Sequence, residues 1–236
     1  MPIEGQIQGK KLSNERFPFE AVLWDMDGTL IDSEPIWIEE ERQLMRSLGV
    51  DWTDEDAHHC LGGPMERVDA YMRERSGNRH EPLLLSSMLV GRMEERLSSQ
   101  VPFTKGAELL LNSMHLERIP MALVSASTRA IMNAALQSIG SHFFQCTFSS
   151  NDVENTKPHP EGYLRAAEHL GVPIESSLII EDSHTGMSSA IESGAYVLGL
   201  PHLTPLPSGP KVVHRSSLEG LNLESLADLF NGIISQ

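Results

Sequence analysis

The chain has 236 residues, a formal net charge of −15, and apolar and charged fractions of 40% and 22%. That length suits one good-sized α/β domain, or a core domain with a smaller insert. The acidic balance argues against nonspecific partners such as nucleic acid or an anionic membrane, because phosphate backbones call for clustered Lys and Arg, and no run approaches the roughly 18 apolar residues of a membrane span.

Residues 1–18 read as a polar tail, without the basic patch and apolar stretch of a secretory signal. The first apolar run, Ala21 to Trp24, predicts a buried strand, and Asp25 and Asp27 follow it directly. Residues two apart on an extended segment face the same way, so both carboxylates can address one site. Gly28 then lets the chain turn away. From about Ser33 to Pro102 no comparable strand is expected. Amphipathic spacing predicts helices over Ile36 to Leu48, Thr53 to Leu61, Met65 to Arg75 and Leu83 to Leu97, broken at Gly62, Gly63 and Pro64.

This block, residues 33–100, reads as a helical cap inserted into a core made of residues 19–32 and 101–236. Ser99 to Phe103 returns the chain to that core. Further strands are expected at Met121 to Val124, Cys146 to Ser149, Ser177 to Ile180 and Ala195 to Leu200, with helices over Thr128 to Ile139 and Pro160 to Leu170. Pro201 to Pro210 reads as a loop, and Ser217 to Ile234 supplies a final helix. The alternation predicts an α/β fold with a doubly wound parallel sheet. Cys60 and Cys146 have no metal-type spacing and read as reduced core residues, which suits a cytoplasmic protein.

Paired carboxylates at short range repel, so a partly dry site needs a cation beside them or a proton on one. In a parallel sheet the polar residues after the strands share one edge: Asp25 and Asp27, Ser125, and Glu181 with Asp182, with Lys157 on a nearby loop. That inventory suits metal-assisted phosphoryl transfer, with a carboxylate attacking phosphorus and a second carboxyl protonating the leaving oxygen. Hard oxygen ligands favour magnesium over zinc. Each group also has a plainer reading. Asp25 and Asp27 suit an acidic turn closing a strand, Ser125 or Ser127 a helix cap, Lys157 a solvated loop, and Glu181 and Asp182 the charged start of a helix. His58, His59 and His159 lack metal-ligand spacing and receive no role.

The order DMDGT, VSAS, TKPHP and IIEDSHTG resembles the four motifs of the haloacid dehalogenase superfamily, over roughly Phe19 to Gly199. The insert after the first motif resembles the subclass with a helical first-type cap, and IDSEPIW and EDSHTG are most similar to hexose-phosphate phosphatases and β-phosphoglucomutases. The resemblance implies a Rossmann-like core in which Asp25 forms an aspartyl-phosphate and Asp27 is general acid and base. Ser125, with Ala126 beside it, and Lys157 would hold the phosphoryl oxygens. Mg2+ would be held by Asp25, Asp27 through its carbonyl, Asp182, and Glu181 directly or through water.

In the cap, Glu34, Trp37 and Arg67 are candidates for substrate contact, although Trp37 equally suits packing against Leu44 or Leu61 and Arg67 a surface ion pair. The second acid, Asp27, sets the chain apart from true dehalogenases. The resemblance implies a magnesium-dependent phosphatase of a small phosphomonoester, a sugar phosphate by class, and a monomer is the default expectation. A phosphosugar mutase is the alternative. Mutases typically carry a histidine where this chain has Trp37 and a basic cap residue near Met65 and Glu66, and both departures weaken that alternative. A receiver-like phospho-accepting signalling module shares the acidic cluster, hydroxyl and lysine, but is shorter and lacks a helical insert.

Overall fold

The buried run Ala21–Trp24 forms the central strand β1, and every residue in it is shielded from solvent. The computed structural model of the protein describes residues 17–60, 64–201 and 205–234. Most of the expected polar tail (residues 1–16), Leu61 at the end of an expected helix, Gly62 and Gly63 of the expected break, and residues 202–204 of the expected loop lie outside the described residues.

The other strands are β2 (Met121–Val124), β3 (Cys146–Phe148), β4 (Ser177–Glu181), β5 (Tyr196–Gly199) and β6 (Val212–His214). They make a parallel sheet in the order β3-β2-β1-β4-β5-β6. The order reverses beside β1, and doubly wound sheets open a ligand crevice at the carboxyl ends there. Trp24 lies opposite Leu123 of β2 and Ile180 of β4, so Asp25, Ser125 and Glu181 emerge at one edge. β6 was not expected: Val212 and Val213 are half-buried and His214 is exposed, so the segment offers no buried run to read.

The helices are α1 (Glu34–Ser47), α2 (Asp54–Cys60), α3 (Met65–Arg75), α4 (Leu84–Ser99), α5 (Ala107–Leu116), α6 (Arg129–Ile139), α7 (Glu161–Leu170), α8 (His184–Ser193), α9 (Leu223–Asp228) and α10 (Asn231–Ile234). The single helix expected over Ser217 to Ile234 is instead two short ones. Asn222 begins α9 with a reciprocal capping box to Ser225, which stops helix from extending backward. No described helix is long and apolar enough to cross a membrane. Cys60 and Cys146 are both free thiols.

Helices α1–α4 share an apolar cluster of their own, including Leu44, Met45, Trp52, Val68, Met72, Leu85 and Leu89. The buried Glu40 of α1 pairs with Arg92 and Arg96 of α4. The cluster is not sealed off from the sheet, however. Met93 and Leu97 of α4 belong to the core's apolar cluster with Ile131 and Ala135 of α6, and Ser138 Oγ donates to the Leu97 carbonyl at 2.7 Å. The fourth helix thus anchors the block to the sheet's helices.

Glu41 on α1 is buried with its Oε2 accepting the Trp52 indole N–H at 3.2 Å. Burial pushes its carboxyl up to about 7, against the opposing Trp52 hydrogen bond and Arg42 charge. Between the ordinary value of 4.5 and about 7 the folded protein binds the extra proton, so this group's contribution to stability falls as pH rises through that window. Glu41→Gln keeps an acceptor for Trp52 and cannot ionise. It is expected to stabilise the protein at about pH 8 by up to roughly 3 kcal/mol, and far less at about pH 5. Denaturant unfolding at both pH values checks this, and an equal effect at the two would contradict it.

Candidate active site

Beyond β1 the chain must turn within three residues to bring Asp27 back over the strand ends. Gly28 makes the turn at φ +83°, a conformation other residues adopt at a cost, and its N–H donates to the Ile31 carbonyl at 2.8 Å. A Cβ there would lie 2.1 Å from Asp182 Oδ2. The glycine therefore serves both the turn and the close approach of the Asp182 carboxylate. Thr29, fully buried, donates its hydroxyl to Asp182 Oδ1 at 3.0 Å and fixes that side chain.

Lys157 reaches the strand edge from the loop before α7 and is almost fully buried. Its Nζ donates to Asp25 Oδ1 at 2.5 Å, Glu181 Oε1 at 2.7 Å and the Val124 carbonyl at 3.0 Å. The Tyr163 ring lies under the ammonium at 4.9 Å, and its hydroxyl donates to Glu181 Oε1 at 3.0 Å. Burial, then the Glu181 charge, pushes the Asp25 carboxyl well above the usual range, with Lys157 opposing. Burial pulls the Lys157 ammonium down, but the Asp25 and Glu181 carboxylates outweigh it and hold the lysine well above its ordinary value. Lys157 thus sets a buried amine against the carboxyl groups of Asp25 and Glu181 at the ends of β1 and β4.

Glu181 is wholly buried, and its Oε2 accepts from Asp182 N at 2.9 Å and from Ser183 N and Oγ at 3.1 and 3.2 Å. Its two oxygens together take five donors, so its charge is committed to Lys157 and the loop before α8. A Cβ at Gly186 would sit 1.7 Å from Glu181 Oε1. The first turn of α8 thus has to be glycine to pass this carboxylate.

Asp27 is held by hydroxyls. Its Oδ1 accepts from Ser33 Oγ at 2.8 Å, and its Oδ2 from Ser127 Oγ at 2.7 Å and Ser125 Oγ at 3.2 Å. The helix-cap reading of Ser125 and Ser127 does not hold: Thr128 caps α6, accepting from Ile131 N. Likewise α8 is capped by Ser183, whose Oγ accepts from Gly186 N at 3.0 Å. Sequence reasoning assigned no role to Ser33, Thr29 or Tyr163, and read Ser127 as a helix cap rather than as a partner of Asp27. Ser127 was visible two residues from Ser125, whereas nothing in sequence singles out Ser33, the N-cap of α1, or Tyr163.

Ligand oxygens of Asp25, Glu181 and Asp182 lie within 4.8 Å of one another, with Gly28 leaving the space that Asp182 fills. Three hard oxygen donors around such a cradle fit a magnesium ion. Among the described residues, the backbone N–H groups of Met26, Asp27 and Ala126 donate to no acceptor, and Ala126 is exposed. Glu34 and Arg67 are exposed in the first turns of α1 and α3, and Trp37 is half-buried against both the core and the α1–α4 apolar clusters.

A model of the haloacid dehalogenase-like hydrolase family matches residues 22–200. The chain is 29% identical over 177 residues to a phosphorylated carbohydrates phosphatase of Thermotoga maritima, covering 74% of this chain and 82% of that protein. It is 25% identical over 177 residues to a fructose-1-phosphate phosphatase of Escherichia coli, covering 75% and 93% of the two chains. Among solved structures, a β-phosphoglucomutase from Clostridium difficile shares the fold with a TM-score of 0.70 at 24% identity, covering 92% of this chain and 100% of that one.

Proposed function

The chain belongs to the haloacid dehalogenase-like hydrolase family, and we propose that it is a magnesium-dependent phosphatase acting on a small phosphomonoester, a sugar phosphate by class. The observation that carries this reading is the buried Lys157 ammonium, which bridges Asp25 and Glu181, with the hydroxyl-held Asp27 two residues beyond Asp25. The two relatives named for carbohydrate and fructose phosphates support the substrate class.

In this reading the phosphoryl group rests on the N–H groups of Met26, Asp27 and Ala126, with Ser125 and Lys157 completing the cradle. Asp25, Asp182 and the Asp27 carbonyl, with Glu181 through water, would hold magnesium, which would supply positive charge to offset that of the phosphoryl group. Asp25 attacks phosphorus while Asp27 protonates the departing alcohol, which leaves an aspartyl-phosphate on Asp25. Asp27 then takes a proton from water as that water attacks the aspartyl-phosphate. Lys157 keeps the carboxylate aimed and offsets charge on the transferring oxygens. Residues 33–100 act as a cap that excludes bulk water, and Glu34, Trp37 and Arg67 are placed on it for substrate contact. The free thiols suit a reducing cytoplasm, where the protein acts as a monomer.

Phosphate release from fructose 1-phosphate, ribose 5-phosphate, uridine 5′-phosphate and 2-phosphoglycolate, with magnesium and with EDTA, tests this reading. Magnesium-dependent release is expected, strongest for a sugar phosphate, and EDTA is expected to suppress it by at least about a hundredfold. Conversion between sugar-phosphate isomers without release would identify the mutase instead. A stable phosphoprotein without turnover would identify a signalling module.

A further inference from the structure

We propose that Ser127 is a positioning residue for Asp27, holding the acid/base carboxyl in place while the Ser125 hydroxyl serves the phosphoryl group. The proposal deepens the phosphatase reading and rests on it. A serine hydroxyl has one hydrogen to donate. Ser125 Oγ accepts the Ser127 N–H at 2.9 Å and gives its hydrogen to Asp27 Oδ2 at 3.2 Å. A phosphoryl oxygen bound to Ser125 needs that same hydrogen, so Ser125 cannot hold Asp27 and the substrate together.

Ser127 resolves the conflict. Its hydroxyl meets the same Oδ2 at 2.7 Å, closer than Ser125 does. Its own N–H is tied to Ser125 Oγ, which fixes the loop between β2 and α6. Because Thr128 caps α6, the Ser127 hydroxyl has no competing duty to that helix. When Ser125 turns to the phosphoryl group, Asp27 is still gripped at Oδ2 by Ser127 and at Oδ1 by Ser33 at 2.8 Å.

The affected step is the first half-reaction. A bond forms from the Asp25 carboxylate oxygen to phosphorus, the ester P–O bond breaks, and the departing oxygen takes the Asp27 proton, leaving Asp27 anionic. An alkyl alcohol needs that proton to leave, whereas p-nitrophenolate leaves without one. Loss of Ser127 therefore discriminates between the two kinds of ester, and a general disturbance of the site does not.

The test compares kcat/KM, which reports steps through alcohol release, for the full chain and its Ser127→Ala and Ser127→Thr variants. The probes are fructose 1-phosphate, uridine 5′-phosphate and 2-phosphoglycolate as alkyl esters and p-nitrophenyl phosphate as the aryl ester. Ser127→Ala is expected to lose about tenfold more on the alkyl esters than on the aryl ester, a fraction of the 10²–10⁴ that general acid catalysis typically supplies. Ser127→Thr, which keeps the hydroxyl, is expected to restore the ratio. Equal losses on both ester types, no loss on either, or no rescue by threonine would overturn the proposal. A wild-type chain that turns over none of the alkyl esters would instead show that the phosphatase reading has failed, and the proposal with it.

Discussion

Asp25→Asn is expected to lower turnover by at least about four orders of magnitude while leaving the protein folded. The amide has nearly the carboxylate's shape but cannot form the covalent phosphoryl bond, and removal of a nucleophile costs on this scale in other covalent enzymes. The fold should tolerate the change. Asp25 is buried in surroundings that already oppose its charge, and Lys157 keeps Glu181 as a partner at 2.7 Å. Far-UV circular dichroism and thermal unfolding of the variant, beside its phosphate release, separate a chemical from a structural loss. Residual turnover near one hundredth of wild type would remove Asp25 from the nucleophile's role.

Lys157→Ala should damage both stability and activity. The side chain is nearly inaccessible and faces two carboxylates that are themselves buried. Removing one member of a buried ionic cluster leaves charge uncompensated, at a typical cost of about 3–5 kcal/mol. Loss of a charge-stabilising donor adds about 10²–10³ in rate. The sign of the coupling is also fixed by the geometry. Asp25→Asn in the Lys157→Ala background removes one stranded carboxylate, so the double variant should unfold at higher denaturant than Lys157→Ala alone. A double variant no more stable than the single one would mean that Lys157 and Asp25 do not act as a pair.

The sheet was legible because its central strands are short buried runs that alternate with helices. Ala21–Trp24 and Met121–Val124 coincide with the expected strands residue for residue. The order of polar residues after those strands is enough to place Asp25, Ser125 and Glu181 at one edge. What escaped was local and three-dimensional. β6 exists because Val212–His214 pairs with β5 at the sheet's edge, which no three-residue pattern announces. Ser33 enters the site only because Gly28 and the following turn bring the start of α1 back over Asp27. The roles of Gly28 and Gly186 depend on carboxylates more than 150 residues away in one case and five in the other, contacts that sequence spacing does not reveal.

The helical block from α1 to α4 illustrates the same division. Its helical content follows from amphipathic spacing, and α3 matches the expected span Met65–Arg75. Its attachment does not follow: the apolar residues of α4 serve two clusters, Leu85 and Leu89 the block's own and Met93 and Leu97 the core's. One amphipathic face reads the same whether it meets one neighbour or two.

Passage of the phosphoryl group through Asp25 is tested by rapid acid quench of a single turnover with fructose 1-phosphate, followed by peptide mapping of the protein. A transient phosphoryl group is expected on the peptide containing Asp25, formed as the sugar is released and absent from Asp25→Asn. Sugar and phosphate released together with no protein-bound phosphoryl group at any time, or a phosphoryl group on another residue, would contradict it.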